Sequence, residues 1–133
     1  MTSTSLNLLV LRVADIDRSA AFYATLGLKF KREQHGKGPE HLSAVAGETL
    51  LEIYPAEDGV TTTAVRLGFS VAAIRPLIDA MVSTGGELFS SAKQTTWGLR
   101  AVVVDPDGHK IELLEPQAQQ VAAADEPAAP ALR

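Results

Sequence analysis

The residues of this chain best suited to chemistry are two glutamates in matching surroundings, Leu51-Glu52-Ile53 and Ile111-Glu112-Leu113. Successive side chains of a strand point to opposite faces. In Thr49–Tyr54, Leu51 and Ile53 therefore share one face, and Leu50, Glu52 and Tyr54 share the other. In Lys110–Glu115, Ile111 and Leu113 oppose Lys110, Glu112 and Leu114. A carboxylate so placed can hold a cation, or take a proton from a carbon next to a carbonyl. Arg66 and Arg100 are the groups suited to an anion, a carbonyl oxygen or a developing enolate. The imidazoles are His35, His41 and His109. With no cysteine, thiolate metal sites, disulfides and cysteine nucleophiles are excluded. The chain has no Gly-rich phosphate loop, no nucleophile elbow and no HExxH motif.

The elements that position these residues belong to one domain. The chain has 133 residues, 46% of them apolar, and a net charge of −4. A nucleic-acid binder needs a basic stripe, and none is present. No apolar run approaches the roughly 18 residues of a membrane span. The start, Met-Thr-Ser-Thr-Ser, lacks the basic residues of a signal peptide. These features point to a cytoplasmic protein that binds neither nucleic acid nor membrane. The folded body is expected over residues 6–116. Beyond Pro116 the chain is rich in Ala, Gln and Pro, so residues 117–133 are expected to form a disordered tail.

The body repeats itself. An offset of 58 residues lays Leu9–Ile16 over Leu67–Ile74 and Gly27 over Gly85; an offset of 60 lays Leu51–Ile53 over Ile111–Leu113. Each half reads as strand, helix, then three strands, giving modules at residues 6–58 and 61–116. In the first, the strands are Leu8–Val13, Lys29–Gln34, His41–Ala46 and Thr49–Tyr54, with a helix over Arg18–Leu26. Asp15 or Asp17 can cap that helix and Gly27 can end it. In the second, the strands are Val65–Val71, Glu87–Phe89, Leu99–Val104 and Lys110–Glu115, with a helix over Arg75–Thr84. Pro76 suits that helix's first turn. Asp105-Pro106-Asp107-Gly108 is a hairpin turn. His109 is expected as a turn or edge residue, and His35 as a solvated one. Gln34–Glu40 and Ser90–Trp97 are expected to be loops at the mouth of a site.

Three stretches carry a family resemblance: Val13-Ala14-Asp15-Ile16-Asp17-Arg18-Ser19 with Phe22-Tyr23 and Leu26-Gly27-Leu28, then Trp97-Gly98, then Asp105-Pro106-Asp107-Gly108-His109-Lys110-Ile111-Glu112-Leu113. Together they resemble the vicinal oxygen chelate superfamily, which includes glyoxalase I, bleomycin- and fosfomycin-resistance proteins and extradiol dioxygenases. The resemblance implies an α+β fold in which two βαβββ modules curl a mixed sheet into a cup around one cavity, commonly in a homodimer. It also implies, in metal-dependent members, one divalent ion held by the first and last strand of each module. Those positions fall here on Leu8, Glu52, Arg66 and Glu112. Leucine has no donor atom, and arginine is a cation without a lone pair. A metal-free site is therefore expected, with no cofactor. Arg66 would pair with Glu112, Glu52 or both. A metal, if one binds, would need His41, Glu52 and Glu112 to converge.

Three readings follow. In the first, the protein binds an apolar or planar small molecule in a cup lined by Leu8, His41, Leu50, Tyr54, Trp97, Arg100 and Leu114. Arg66 and the glutamates orient the ligand, and Trp97 is a lid or a rim residue at a dimer contact. In the second, it is a lyase, isomerase or dioxygenase with an altered metal set, or an acid/base catalyst using Glu52 or Glu112 with Arg66. Glutathione-dependent glyoxalase activity is disfavoured by the two lost ligands. In the third, it is a dimeric interaction module whose vestigial cup is filled.

Overall fold

A computed structural model describes residues 3–117. The expected tail therefore falls outside the described residues, except for Gln117. The element order is β1(Leu8–Val13), α1(Ile16–Ala24), β2(Lys31–Glu33), β3(His41–Ala46), β4(Thr49–Pro55), β5(Leu67–Ser70), α2(Ile74–Ser83), β6(Glu87–Thr95), β7(Gly98–Val104) and β8(Lys110–Pro116). This is the βαβββ unit twice. Each unit forms a four-stranded mixed sheet, ordered β1-β4-β3-β2 in one and β5-β8-β7-β6 in the other. The first and last strands of each unit run parallel and the other pairs antiparallel.

The repeat is visible in the register. Val10 pairs with Glu52, and Gly68 pairs with Glu112. Leu51, Ile53, Ile111 and Leu113 are buried with Leu11, Phe22, Tyr23, Ile74 and Met81 in one core. The alternation that buries them turns Glu52 and Glu112 to the other, helix-free face. Asp15 caps α1 by accepting from the amides of Asp17 and Arg18. The start of α2 has no such side chain at Ala73. Glu115 of β8 accepts from the Ile74 amide instead, at 2.9 Å. Pro76 is the third residue of α2.

Three expectations need correction. β6 runs from Glu87 to Thr95, far beyond Phe89, because it follows β7 through two register shifts. Most of the segment expected as a loop before Trp97 is thus sheet, and Trp97 sits in the β6–β7 turn. β5 is shorter than expected, so Arg66 lies just ahead of it. His109 is no edge residue but wholly buried. Its Nδ1 is 2.8 Å from Asp105 Oδ2 and its Nε2 is 2.8 Å from Thr62 Oγ1.

Asp105 is the hub that joins the modules. Its Oδ2 accepts from the Tyr23 hydroxyl of α1 at 2.6 Å, and its Oδ1 accepts from the amides of Asp107, Gly108 and His109. Asp107 accepts in turn from the Ala14 amide and the Ser19 hydroxyl. Burial pushes the Asp105 carboxyl upward, but the bonds from His109 and Tyr23 outweigh it and hold it below the ordinary carboxylate value. A depressed folded pKa stabilises the fold above the unfolded pKa, near 3.9. That contribution is lost as pH falls through the folded value. The midpoint of urea unfolding, followed by circular dichroism, is expected to decline below about pH 4. In Asp105→Asn the acid decline should be shallower.

Candidate functional site

The helix-free face of the first sheet is laid out in rows by strand register. Leu8, Leu50 and Val45 form an apolar row. Leu8 and Val45 are exposed, and Leu50 is half-buried. Val10, Glu52 and Ser43 form the next. Arg12, Tyr54, His41 and Glu33 form the third. There the Arg12 guanidinium lies 4.8 Å from the Tyr54 ring centre, and the Tyr54 ring stacks on His41 at 4.1 Å and 8°. His41 Nε2 stands 3.6 Å from Glu33 Oε1 and 3.8 Å from Glu52 Oε2. The Ser43 hydroxyl donates to Glu33 at 2.7 Å. That bond, opposed by partial desolvation and helped by Lys31, His35 and His41, holds the Glu33 carboxyl below its ordinary value.

The second sheet places a different chemistry at the equivalent position. Glu112 is buried, with Gly68 and Val102 as its register partners. Arg100 Nε donates to its Oε1 at 2.6 Å, and Arg66 Nε is 3.6 Å from its Oε2. Arg66 remains over a third exposed. Leu114 is half-buried in the row of Ser70 and Arg100. Trp97, in its turn, donates its amide to Thr95 Oγ1.

The structure thus joins some expected residues and separates others. Arg66 takes Glu112, and Arg100 joins it there. His41 and Glu52 come together, but Glu112 is committed to the arginines, so the set His41, Glu52 and Glu112 is not assembled within the chain. The group that could hold a metal among the described residues is instead Glu33, His35 and His41. Sequence reasoning missed Glu33. Its signal was faint, a carboxylate ending one short strand eight residues before His41 opens the next.

The ion that the family places between first and last strands does not fit here. Leu8 offers no donor. Arg66 and Arg100 put two fixed positive charges on the carboxylate that would bind it. A divalent cation beside them meets direct repulsion.

Fold and sequence together define the class. A family model described as the Glyoxalase/Bleomycin resistance protein/Dioxygenase superfamily matches residues 5–113. The chain belongs to that superfamily. Among curated proteins, none matches it significantly. Solved structures share its fold. A glyoxalase-related enzyme from Fulvimarina pelagi is 25% identical, with a TM-score of 0.66 over 85% of this chain and 88% of the other. An antibiotic binding protein from Streptomyces sp. CB03234 is 23% identical, with a TM-score of 0.69 over 88% and 99%. A glyoxalase/bleomycin resistance protein/dioxygenase family enzyme from Burkholderia phytofirmans PsJN is 17% identical, with a TM-score of 0.69 over 86% and 100%. No helix of the described residues is long and apolar enough to cross a membrane.

Proposed function

We propose that the protein binds an apolar or planar small molecule against the helix-free face, with no metal at the family's four ligand positions. The binding unit is residues 6–116, acting as a cytoplasmic homodimer. One observation carries this reading: Glu112, the carboxylate in a family ligand position, is clamped by Arg100 at 2.6 Å and Arg66 at 3.6 Å. The guanidiniums do locally what a cation would do. Arg66 keeps enough exposure to meet a carbonyl or acid group of a ligand. In this reading Leu8, Leu50, Tyr54 and Leu114 supply apolar surface, and Trp97 is the lid or rim residue. The fold shared with an antibiotic binding protein supports the same reading.

The test is a thermal-shift panel of planar aromatic acids and their neutral amides, headed by naphthoate and naphthamide, on chelator-dialysed protein. A ligand that binds only the folded state stabilises it by about 2.7 kcal/mol at a hundredfold excess over Kd. A rise in Tm with at least one compound, larger for the acid than for its amide, is expected. A flat panel would favour the interaction module instead.

An enzymatic reading has one specific support. Glu52 faces His41 at 3.8 Å, while Glu112 is tied to two arginines. A proton-abstracting base would therefore be Glu52. Turnover would then vanish in Glu52→Gln and survive in Glu112→Gln.

A further inference from the structure

We propose that Glu33, His35 and His41 form a site for a divalent first-row transition ion at the mouth of the β2–β3 connection, separate from the family's metal position. The three residues each bring a ligand atom within 4.8 Å of the others. Glu33 ends β2 and His41 opens β3 as its direct register partner, so the backbone ladder sets two of the ligands. The third comes from the connecting turn. That turn closes on itself through the Gly38 amide donating to the His35 carbonyl at 3.0 Å and Gln34 Nε2 donating to the Gly38 carbonyl at 2.8 Å. Gly36 takes a positive φ of 58°, which favours glycine there. The result brings the His35 ring to 5.1 Å from the His41 ring.

The groups around His41 suit a cation. His41 Nδ1 lies 3.3 Å from the Pro39 carbonyl, which can only accept, so this nitrogen carries the hydrogen. Nε2 then faces the Tyr54 hydroxyl at 3.4 Å, Glu33 Oε1 at 3.6 Å and Glu52 Oε2 at 3.8 Å. A cation bound at Nε2 would have both carboxylates within reach to offset its charge. A backbone carbonyl holding the far nitrogen of a ligating histidine is the usual outer support of a metal site. Ser43 fixes the Glu33 carboxylate in the same way. Four-coordinate zinc, with bonds of about 2.0–2.1 Å, sets its ligand atoms roughly 3.3 Å apart. His41 Nε2 and Glu33 Oε1, at 3.6 Å, are already near that spacing, and the His35 side chain, on its exposed turn, has to swing in to join them. Two imidazoles and a carboxylate suit zinc, iron or manganese better than magnesium or calcium. His35 is exposed, leaving the ion open to water or a ligand atom. Lys31 Nζ, 3.7 Å from Glu33 Oε2, is largely exposed and can turn to solvent.

The experiment is calorimetric titration of the chelator-stripped full chain with zinc chloride, paired with the visible absorption spectrum of the cobalt-substituted protein. One zinc per chain is expected, with cobalt bands of nitrogen and oxygen ligation. His35→Ala removes an exposed ligand and should leave the unfolding midpoint of the metal-free protein unchanged, while weakening zinc binding at least tenfold. Glu33→Gln should weaken it similarly. The absence of zinc binding by the wild-type chain would overturn the proposal. So would zinc binding that both substitutions leave intact, since the ion would then sit elsewhere. Neither outcome bears on whether naphthoate binds.

Discussion

Asp105→Ala is expected to cost about 3–5 kcal/mol of folding free energy, the scale of removing one partner from a buried charged pair. The reason lies in what the carboxylate holds. It receives the Tyr23 hydroxyl at 2.6 Å, the His109 ring at 2.8 Å and three turn amides at 2.8–3.0 Å. Tyr23 and His109 are both wholly buried, so neither finds water when the carboxylate goes. An unpaired buried polar group costs about 1–3 kcal/mol on its own. The same carboxylate tethers α1 of the first module to the β7–β8 turn of the second. Against a total stability of about 5–15 kcal/mol, the loss takes a large share. Urea unfolding by circular dichroism measures it. Tyr23→Phe removes only one of the bonds and should cost about 1–2 kcal/mol. A loss below 1 kcal/mol in Asp105→Ala would show that the turn and the module contact hold without their hub.

Arg100→Met is the second large effect, expected at about 3 kcal/mol. Glu112 has only 6% of its side chain exposed, and Arg100 Nε is its close partner at 2.6 Å. Arg66 stands a full ångström further off and is partly in solvent, so it cannot replace that bond. Methionine keeps most of the volume and removes the charge. Adding Glu112→Leu removes the buried carboxylate that has lost this bond as well. A paired apolar replacement is often neutral or stabilising where breaking the pair is not. The double variant Arg100→Met/Glu112→Leu should therefore recover most of the loss, giving a coupling of about 1–3 kcal/mol. Added zinc should not restore Arg100→Met, because Arg66 still faces Glu112. Rescue by zinc would mean that a cation site underlies the arginine clamp.

Much of the architecture was legible because the chain carries it twice. The offsets of 58 and 60 residues correspond to the register pairs Val10 with Glu52 and Gly68 with Glu112. Alternation in Leu51–Ile53 and Ile111–Leu113 assigned the core face correctly, since each strand has one face committed to the core. The failures arose where a residue's place depends on something distant. His109 has the local setting of a turn residue, but its burial comes from Thr62, 47 positions away. β6 looked like a polar loop because Ser90–Thr95 has no apolar alternation, and it is strand because β7 offers it an edge. At the site, the Glu33–His41 pairing requires knowing how the turn between them closes. Arg100 and Arg66 meet on Glu112 only once β7, β8 and the approach to β5 lie side by side.

The central claim is that arginines stand where the family places a metal and that a small molecule binds without one. It is tested most directly by calorimetric titration of naphthoate into the wild-type chain and Arg66→Gln, each in excess chelator and again with zinc. The wild-type chain should bind one equivalent with the same affinity in both conditions, and Arg66→Gln should bind at least tenfold more weakly in both. Binding that appears only with zinc, or that ignores the loss of Arg66, would contradict the claim.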